Sequence, residues 1–152
     1  MIEVNNESGE AVDEGRLQSL AIFALDLLRI HPQAELSILL VDEAAMSAYH
    51  EEYLGEPGPT DVLSFPMDEL RTPREGEDPP LGLLGDIVLC PKVTAAQAAE
   101  NGRTPDQEAD YLLIHGLLHL LGHDHAEPVE KKAMFDLNDQ IIAAWDSQRS
   151  RR

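Results

Sequence analysis

Four of the six histidines in this chain lie within eleven residues, His115–His125, which read H-G-L-L-H-L-L-G-H-D-H. His115 and His119 are four residues apart, so on an α-helix their imidazoles leave the same face about 6 Å apart. Gly122 stands where helices commonly end through a left-handed residue, and the chain can then turn back and bring His125 to the same point. The spacing therefore predicts a metal site formed by His115, His119 and His125.

Three neutral imidazoles are typical zinc ligands, and they leave the fourth tetrahedral position open to water. An open position indicates catalysis, because water bound to such a zinc loses its proton near pH ~7 and becomes a nucleophile. A closed, structural site with Cys90 as the fourth ligand is the alternative, although a buried thiol is the commoner role for such a residue. A lone histidine on an apolar helix is usually a core residue, but this pair with a third histidine after a glycine favours a metal site.

Gly116 occupies a position that matters for the kind of chemistry. Zinc proteases with this histidine spacing read H-E-x-x-H-x-x-G-x-x-H, and their glutamate is the general base. Glycine cannot take that role, so the sequence disfavours a metallopeptidase. Glycine also costs roughly 1 kcal/mol relative to alanine inside a helix. It therefore indicates either space needed beside the metal or close packing of the helix, and the sequence leaves both open.

The elements that must position these histidines follow from the hydrophobic pattern, which predicts four strands and five helices in the order β-α-β-α-β-β-α-α-α. The predicted strands are Ile2–Asn5, Glu35–Val41, Thr60–Phe65 and Leu83–Cys90. The predicted helices are Val12–Ile30, Glu43–Tyr53, Pro91–Asn101, a helix capped at Thr104 that carries the histidines to Leu121, and Glu127–Trp145. This order predicts an α+β fold, with a small mixed β-sheet covered by helices and the zinc-binding helix buried at its centre.

Several residues outside the predicted metal site carry smaller expectations. His31 and His50 are expected on the surface, and the C-terminal arginines are expected in a frayed tail. Residues 67–82, rich in Pro, Gly and charge, predict a mobile surface loop. His123 is expected beside the metal site or on the surface rather than on the metal. Asp124 could orient a ligand histidine or cap the turn, and Asp86 could face the site or begin a strand.

Composition sets the broad class of the protein. A chain of 152 residues with 43% apolar residues fits one soluble domain, and we expect residues 1–152 to form it. No membrane span is expected because there is no run of 18 apolar residues. The N-terminus lacks the pattern of a secretory signal. A single cysteine fits a reducing cytosol, so a cytoplasmic location is expected.

The net charge of −18 bears on nucleic-acid binding. It argues against a broad nucleic-acid surface, because phosphate binding rests on lysine and arginine. It is also consistent with high solubility or a salt-rich cytosol.

Two further segments carry a resemblance, namely Pro59–Pro66, which reads P-T-D-V-L-S-F-P, and Leu84–Leu89, which reads L-G-D-I-V-L. Together with His115–His125, which matches the pattern H-G-x-L-H-L-x-G-[YH]-D-H, they make the chain resemble the YbeY family of metal-dependent endoribonucleases, the rRNA maturation factors. The three segments occur in the family's order and span most of the chain.

The resemblance implies one zinc per chain held by His115, His119 and His125, which would also be the catalytic residues. It implies a zinc-dependent, single-strand-specific endoribonuclease that acts in rRNA processing, at the 3′ end of 16S rRNA, and in ribosome quality control. The implied partners are single-stranded precursor rRNA and the ribosome or ribosomal proteins, with no DNA expected. The alternative left open is a ribosome-associated RNA- or protein-binding factor with a structural zinc.

The chain departs from the family at one position. Many members carry an arginine after the aromatic residue that precedes the P-T segment, and here Leu54 follows Tyr53. An arginine there could hold a phosphate, so another basic group would have to substitute. The candidates are Arg71, Arg74, Lys92 and the C-terminal arginines.

Overall fold

The computed structural model describes residues 1–123 and 127–150, and its elements follow the predicted order. The strands are β1 (Ile2–Asn6), β2 (Glu35–Leu40), β3 (Val62–Pro66) and β4 (Leu83–Leu89). The helices are α1 (Glu14–Leu27), α2 (Glu43–Leu54), α3 (Pro91–Asn101), α4 (Pro105–Leu120) and α5 (Pro128–Ser150). The predicted α+β class is confirmed.

The four strands form one mixed sheet in the order β1-β2-β4-β3. β1 and β2 are joined through α1 and pair in parallel, as do β2 and β4. β3 returns antiparallel along β4, with Ser64 opposite Ile87. β4 therefore lies between two partners, and its apolar sequence fits this position, because a strand paired on both sides is buried.

The main core lies between one face of the sheet and helices α1, α4 and α5. Ile38 and Ile87 of the sheet and Leu113, Ile114 and Leu117 of α4 are fully buried there. α4, the helix that carries His115 and His119, is thus a central element of the core. Its backbone is held by apolar contact along most of its length, which fixes the direction of its polar side chains.

The other face of the sheet holds a smaller cluster with α2. Its buried members are Val41, Met46, Leu63, Val88 and Cys90. Burial raises the pKa of the Cys90 thiol and disfavours the thiolate that a metal requires. The surroundings of Cys90 therefore support the interpretation of a buried thiol over that of a fourth metal ligand.

The N-terminus of α4 is fixed by a capping box and by an ion pair to α1. The Thr104 side chain accepts from the Gln107 N–H and the Gln107 side chain accepts from the Thr104 N–H, as the sequence predicts. Arg16 of α1 contacts Asp106 at 2.6 Å and Asp110 at 3.0 Å. Burial raises the pKa of Asp110 to about 6, against the opposing effect of the Arg16 charge. These contacts set the start of α4 against α1.

Two predictions about the surface were wrong. His50 is buried, because its ring contacts the Gly58 carbonyl at 2.9 Å and the Glu56 carboxylate at 3.1 Å in the loop after α2. α5 does not end at Trp145 but continues to Ser150. Trp145 packs against Phe23 of α1, and the Arg149 guanidinium lies over the indole ring, so Arg149 is helical rather than part of a frayed tail.

Other boundaries also differ by one to three residues, among them the end of α1, which lies at Leu27 rather than at Ile30. Two of these errors come from turn residues. α1 begins at Glu14 because Asp13 caps it, and β3 begins at Val62 because the Asp61 carboxylate binds the Val62 N–H. Arg151 and Arg152 lie outside the described residues. Within the described part of the chain, no helix is long and apolar enough to cross a membrane.

Candidate metal centre and adjoining cleft

α4 places His115 and His119 side by side. Their ring centroids are 4.7 Å apart and the ring planes cross at 79°. Both side chains are half-buried, because their face of α4 looks away from the main core. The i and i+4 spacing thus presents two imidazoles to one region of space.

α4 ends as the sequence predicts, through a left-handed glycine. Gly122 has φ +90°, its N–H donates to the His119 carbonyl at 3.0 Å, and the His123 N–H donates to the Leu118 carbonyl at 3.0 Å. This pair of bonds is the Schellman motif, which satisfies carbonyls at the end of a helix and changes the direction of the chain. His123, just after it, is half-buried, and burial lowers the pKa of its imidazole and so favours the neutral ring.

The third predicted ligand, His125, lies outside the described residues, as does Asp124. Within residues 1–123 and 127–150, no three His, Cys, Asp or Glu side chains are grouped to hold a metal ion. The two imidazoles that are described supply the nitrogen donors zinc takes. The turn at Gly122 comes three residues before His125. These residues therefore have the donor chemistry that a zinc site requires.

We expect Gly122→Val to damage this region through the backbone rather than through a clash. A Cβ at this position meets nothing within 4 Å, but a β-branched residue rarely adopts φ +90°. The left-handed conformation costs roughly 1–2 kcal/mol in a residue other than glycine, which corresponds to a melting temperature lower by roughly 2–8 °C. Zinc content should also fall, because the turn that precedes His125 is altered.

Gly122→Asn is the matched control, because asparagine tolerates the left-handed region. It should melt and bind zinc nearly as the unmodified protein does. Melting curves and metal analysis of both variants check this. Full zinc content and unchanged melting in Gly122→Val would contradict the role given to the turn.

Gly116 faces the sheet. An added Cβ would lie 3.1 Å from the Ile87 Cγ2 atom, 3.1 Å from the Ser64 Oγ atom and 3.3 Å from the Val62 Cγ2 atom. The Ser64 hydroxyl also donates to the Gly116 carbonyl at 3.1 Å. Of the two roles that the sequence left open for this glycine, the structure supports close packing. A glutamate here would point into the interface between α4 and the sheet.

A cleft of about 510 Å³ adjoins His115. Phe135 of α5 lies along one side, with its ring centroid 6.1 Å from that of His115 and the two planes 29° apart. The polar lining of the cleft comes from α3, α4 and the residues next to β3 and between the two helices. These are Asp61, Gln97, Asn101, Arg103 and Glu108. Tyr111 adds a second aromatic ring.

Arg103 is the functional candidate that sequence reasoning missed. Among the described residues it is the only lysine or arginine that lines this cleft. Lys92 instead pairs with Glu43 at 3.4 Å, and Arg71 and Arg74 lie in the loop after β3. The available signal was its position in the three-residue connection between α3 and α4, where Gly102 ends one helix and Thr104 caps the next.

Asp86 does not face the histidines. It pairs in register with Phe65 of β3 and Ser37 of β2, on the sheet face opposite α4. The other role considered for it, to begin a strand, is also wrong, since β4 begins at Leu83 and Asp86 lies in its middle.

Comparisons with known proteins give one consistent result. The family model described as endoribonuclease YbeY matches residues 3–146. A Cutibacterium acnes protein named endoribonuclease YbeY is 73% identical over 149 residues, covering 98% of this chain and 96% of that protein. A Leifsonia xyli protein of the same name is 56% identical over 144 residues, covering 95% of this chain and 94% of that protein. The solution structure of TM1509 from Thermotoga maritima aligns with a TM-score of 0.65 at 26% identity, covering 99% of this chain and 93% of that one.

Proposed function

The chain belongs to the endoribonuclease YbeY family, and on this premise we propose that it is a zinc-dependent endoribonuclease that cuts single-stranded RNA. We place its action in rRNA processing, at the 3′ end of 16S rRNA, and in ribosome quality control. The cytoplasm is the proposed location, and the ribosome or its proteins are the proposed partners. The observation that carries the proposal is the adjacent pair His115 and His119, of which His115 lines a polar cleft.

His115, His119 and His125 are the residues we assign to the metal. Zinc bound there would polarise a phosphate oxygen and lower the pKa of a water molecule. The chain's own contribution is to fix the imidazoles. α4 packs between the sheet and α5. Core packing, rather than the bound metal, therefore sets the direction in which its histidine-bearing face points. A preorganised site of this kind loses little entropy when it binds.

The cleft suits an unpaired strand better than a duplex. Phe135 and Tyr111 present aromatic rings close to His115 and Arg103, and unpaired bases can stack on such rings. A duplex keeps its bases stacked on each other and is too stiff to bend around the end of one helix. The RNA backbone of a single strand can follow the cleft from Arg103 towards the histidines.

The charge of the protein limits how RNA reaches the cleft. With a net charge of −18, protein and RNA repel each other, although salt limits this repulsion to about 8 Å at physiological ionic strength. Binding must therefore rest on a few local contacts or on delivery by a ribosomal partner. Free RNA is expected to be cut slowly for this reason.

The test of this function compares a single-stranded RNA oligonucleotide with its duplex, with and without a chelator, over a range of salt. We expect cleavage of the single strand only, loss of cleavage with chelator, and recovery on adding zinc. Moderate salt should reduce the rate less than it does for a basic nuclease, whose many phosphate contacts make its affinity fall steeply with salt.

Two outcomes would contradict the proposal. Equal cutting of both RNA forms would exclude single-strand specificity. RNA binding without any cleavage, in a protein that still loses thermal stability with chelator, would favour a binding factor that contains a structural zinc.

A further inference from the structure

We propose that Arg103 binds a phosphate of the RNA strand adjacent to the phosphate being cut, and that Tyr111 and Glu108 hold its guanidinium in place for this contact. The inference rests on the proposed function of the same cleft and adds the residue that anchors the substrate there. It also supplies a basic group, which the chain does not have at Leu54.

The Arg103 backbone is fixed before any substrate binds. Its N–H donates to the Ala98 carbonyl at 2.9 Å, at the left-handed end of α3. The next residue, Thr104, is the N-cap of α4. The connection between α3 and α4 is therefore held at both ends by helix caps, and the Cα atom of Arg103 has a defined position at the rim of the cleft.

The guanidinium is held on two sides. The Arg103 Cζ atom lies 4.6 Å from the centroid of the Tyr111 ring, which is within cation–π range. The Arg103 Nη1 atom lies 3.3 Å from the Glu108 Oε2 atom. The Glu108 side chain is only 4% exposed whereas that of Arg103 is 40% exposed. The buried carboxylate thus anchors one edge of a guanidinium whose remainder reaches the cleft.

The remaining donors match a phosphate. A guanidinium has five N–H donors in one plane, of which the contact to Glu108 uses one nitrogen. Two parallel N–H groups on the other edge can bind a phosphate in bidentate fashion. Because His115 lines the same cleft, a strand bound at Arg103 would lead directly to the histidines.

A purely structural role for Arg103 can be distinguished from phosphate binding with one pair of variants. If Arg103 serves only to neutralise the buried Glu108, then Arg103→Ala and Glu108→Gln should change the affinity for RNA in the same direction. If Arg103 binds phosphate, Arg103→Ala should weaken RNA binding. Glu108→Gln should strengthen it, because the glutamine oxygen can still accept from the guanidinium and hold it in place, while the negative charge that repels a nearby phosphate is removed.

The experiment measures binding of a fluorescent 12-nucleotide single-stranded 2′-O-methyl RNA to the purified zinc-loaded protein, with a gel to show that the strand stays intact. We expect roughly 5- to 10-fold weaker binding for Arg103→Ala. The slope of log affinity against log salt should become shallower by about 0.7, the value for one lost contact to a single strand. Arg74→Ala is the matched control. Arg74 is exposed in the loop after β3 and does not line the cleft, so the structure does not support the phosphate contact considered for it from the sequence, and its loss should leave the slope nearly unchanged.

Melting curves accompany each variant. Should Arg103→Ala fail to fold, Arg103→Lys replaces it: this change keeps the charge beside Glu108 but loses the planar fork, and binding should fall several-fold while Glu108→Gln still strengthens it. Weaker binding in both Glu108→Gln and the Arg103 variant, or a salt slope in Arg103→Ala equal to that of Arg74→Ala, would overturn the proposal. Absence of RNA binding in the unmodified protein would overturn it as well.

The result is independent of cleavage. If the protein binds the strand with the expected pattern of variants but cuts no RNA, the proposed nuclease function fails and the assignment of Arg103 stands. If it cuts RNA while Arg103→Ala binds with unchanged affinity and slope, the nuclease function stands and the assignment fails.

Discussion

Replacing His119 with alanine is expected to lower the rate of single-stranded RNA cleavage by more than about 100-fold. Loss of a residue that merely orients a metal ligand costs roughly 10- to 100-fold in metal affinity or activity, and His119 is assigned to the metal itself. Its ring lies 4.7 Å from that of His115, so its loss removes one of the two imidazoles that α4 presents side by side. His115→Ala should give a comparable loss.

His31→Ala is the matched control for this experiment. His31 also lies beside a loop, but its Nδ1 atom accepts the Gln33 N–H at 3.0 Å, and it does not line the cleft beside His115. Cleavage rate and zinc content, measured on the same preparations, should fall together in His119→Ala and stay unchanged in His31→Ala. Full zinc content with full activity in His119→Ala would contradict the assignment of His119 to the metal. Activity without zinc would indicate a contaminating nuclease.

Features that depend on nearby residues were predictable from the sequence. The order of the nine elements in the described residues follows from hydrophobic periodicity, because the period of a segment can be recognised within about ten residues. The end of α4 at Gly122 and its start at Thr104 follow from capping chemistry that spans four residues. The proximity of His115 and His119 follows from helix geometry alone. None of these requires knowledge of which elements meet.

Features that depend on distant residues were missed or left open. His50 is buried because a loop eight residues away folds back over it. α5 extends past Trp145 because Phe23, far away in sequence, packs against the indole. Arg103 became a candidate only once α3, α4 and α5 were placed around one cleft. The role of Gly116 could not be decided until β3 and β4 were seen to lie against it.

The sheet contact of Gly116 leads to the second large effect. Gly116→Glu, which restores the glutamate of the zinc-protease pattern, is expected to destabilise the fold rather than to create a peptidase. The new Cβ would lie 3.1 Å from atoms of Ile87 and Ser64, and the carboxylate beyond it would be forced into the packed interface between α4 and the sheet. Overpacking costs roughly 1–3 kcal/mol and burying an unpaired charge costs several kcal/mol more.

Gly116→Ala separates the two costs. It adds the crowding without the charge, and the better helix propensity of alanine offsets up to about 1 kcal/mol of that crowding. The free energy of unfolding should fall by roughly 1 kcal/mol in the alanine variant and by more than about 3 kcal/mol in the glutamate variant, which lowers the melting temperature by roughly 6–12 °C or more.

Gly15 provides the matched control, because it is a helical glycine whose added Cβ would meet only the Asp13 Oδ1 atom at 3.6 Å. Gly15→Ala should stabilise the protein by up to about 1 kcal/mol, and Gly15→Glu should be well tolerated in the exposed first turn of α1, where a negative charge is favourable. Urea and thermal unfolding of the four variants give the comparison. A Gly116→Glu protein as stable as Gly15→Glu, or one that cleaves peptides, would refute the packing role of Gly116 and reopen the peptidase alternative.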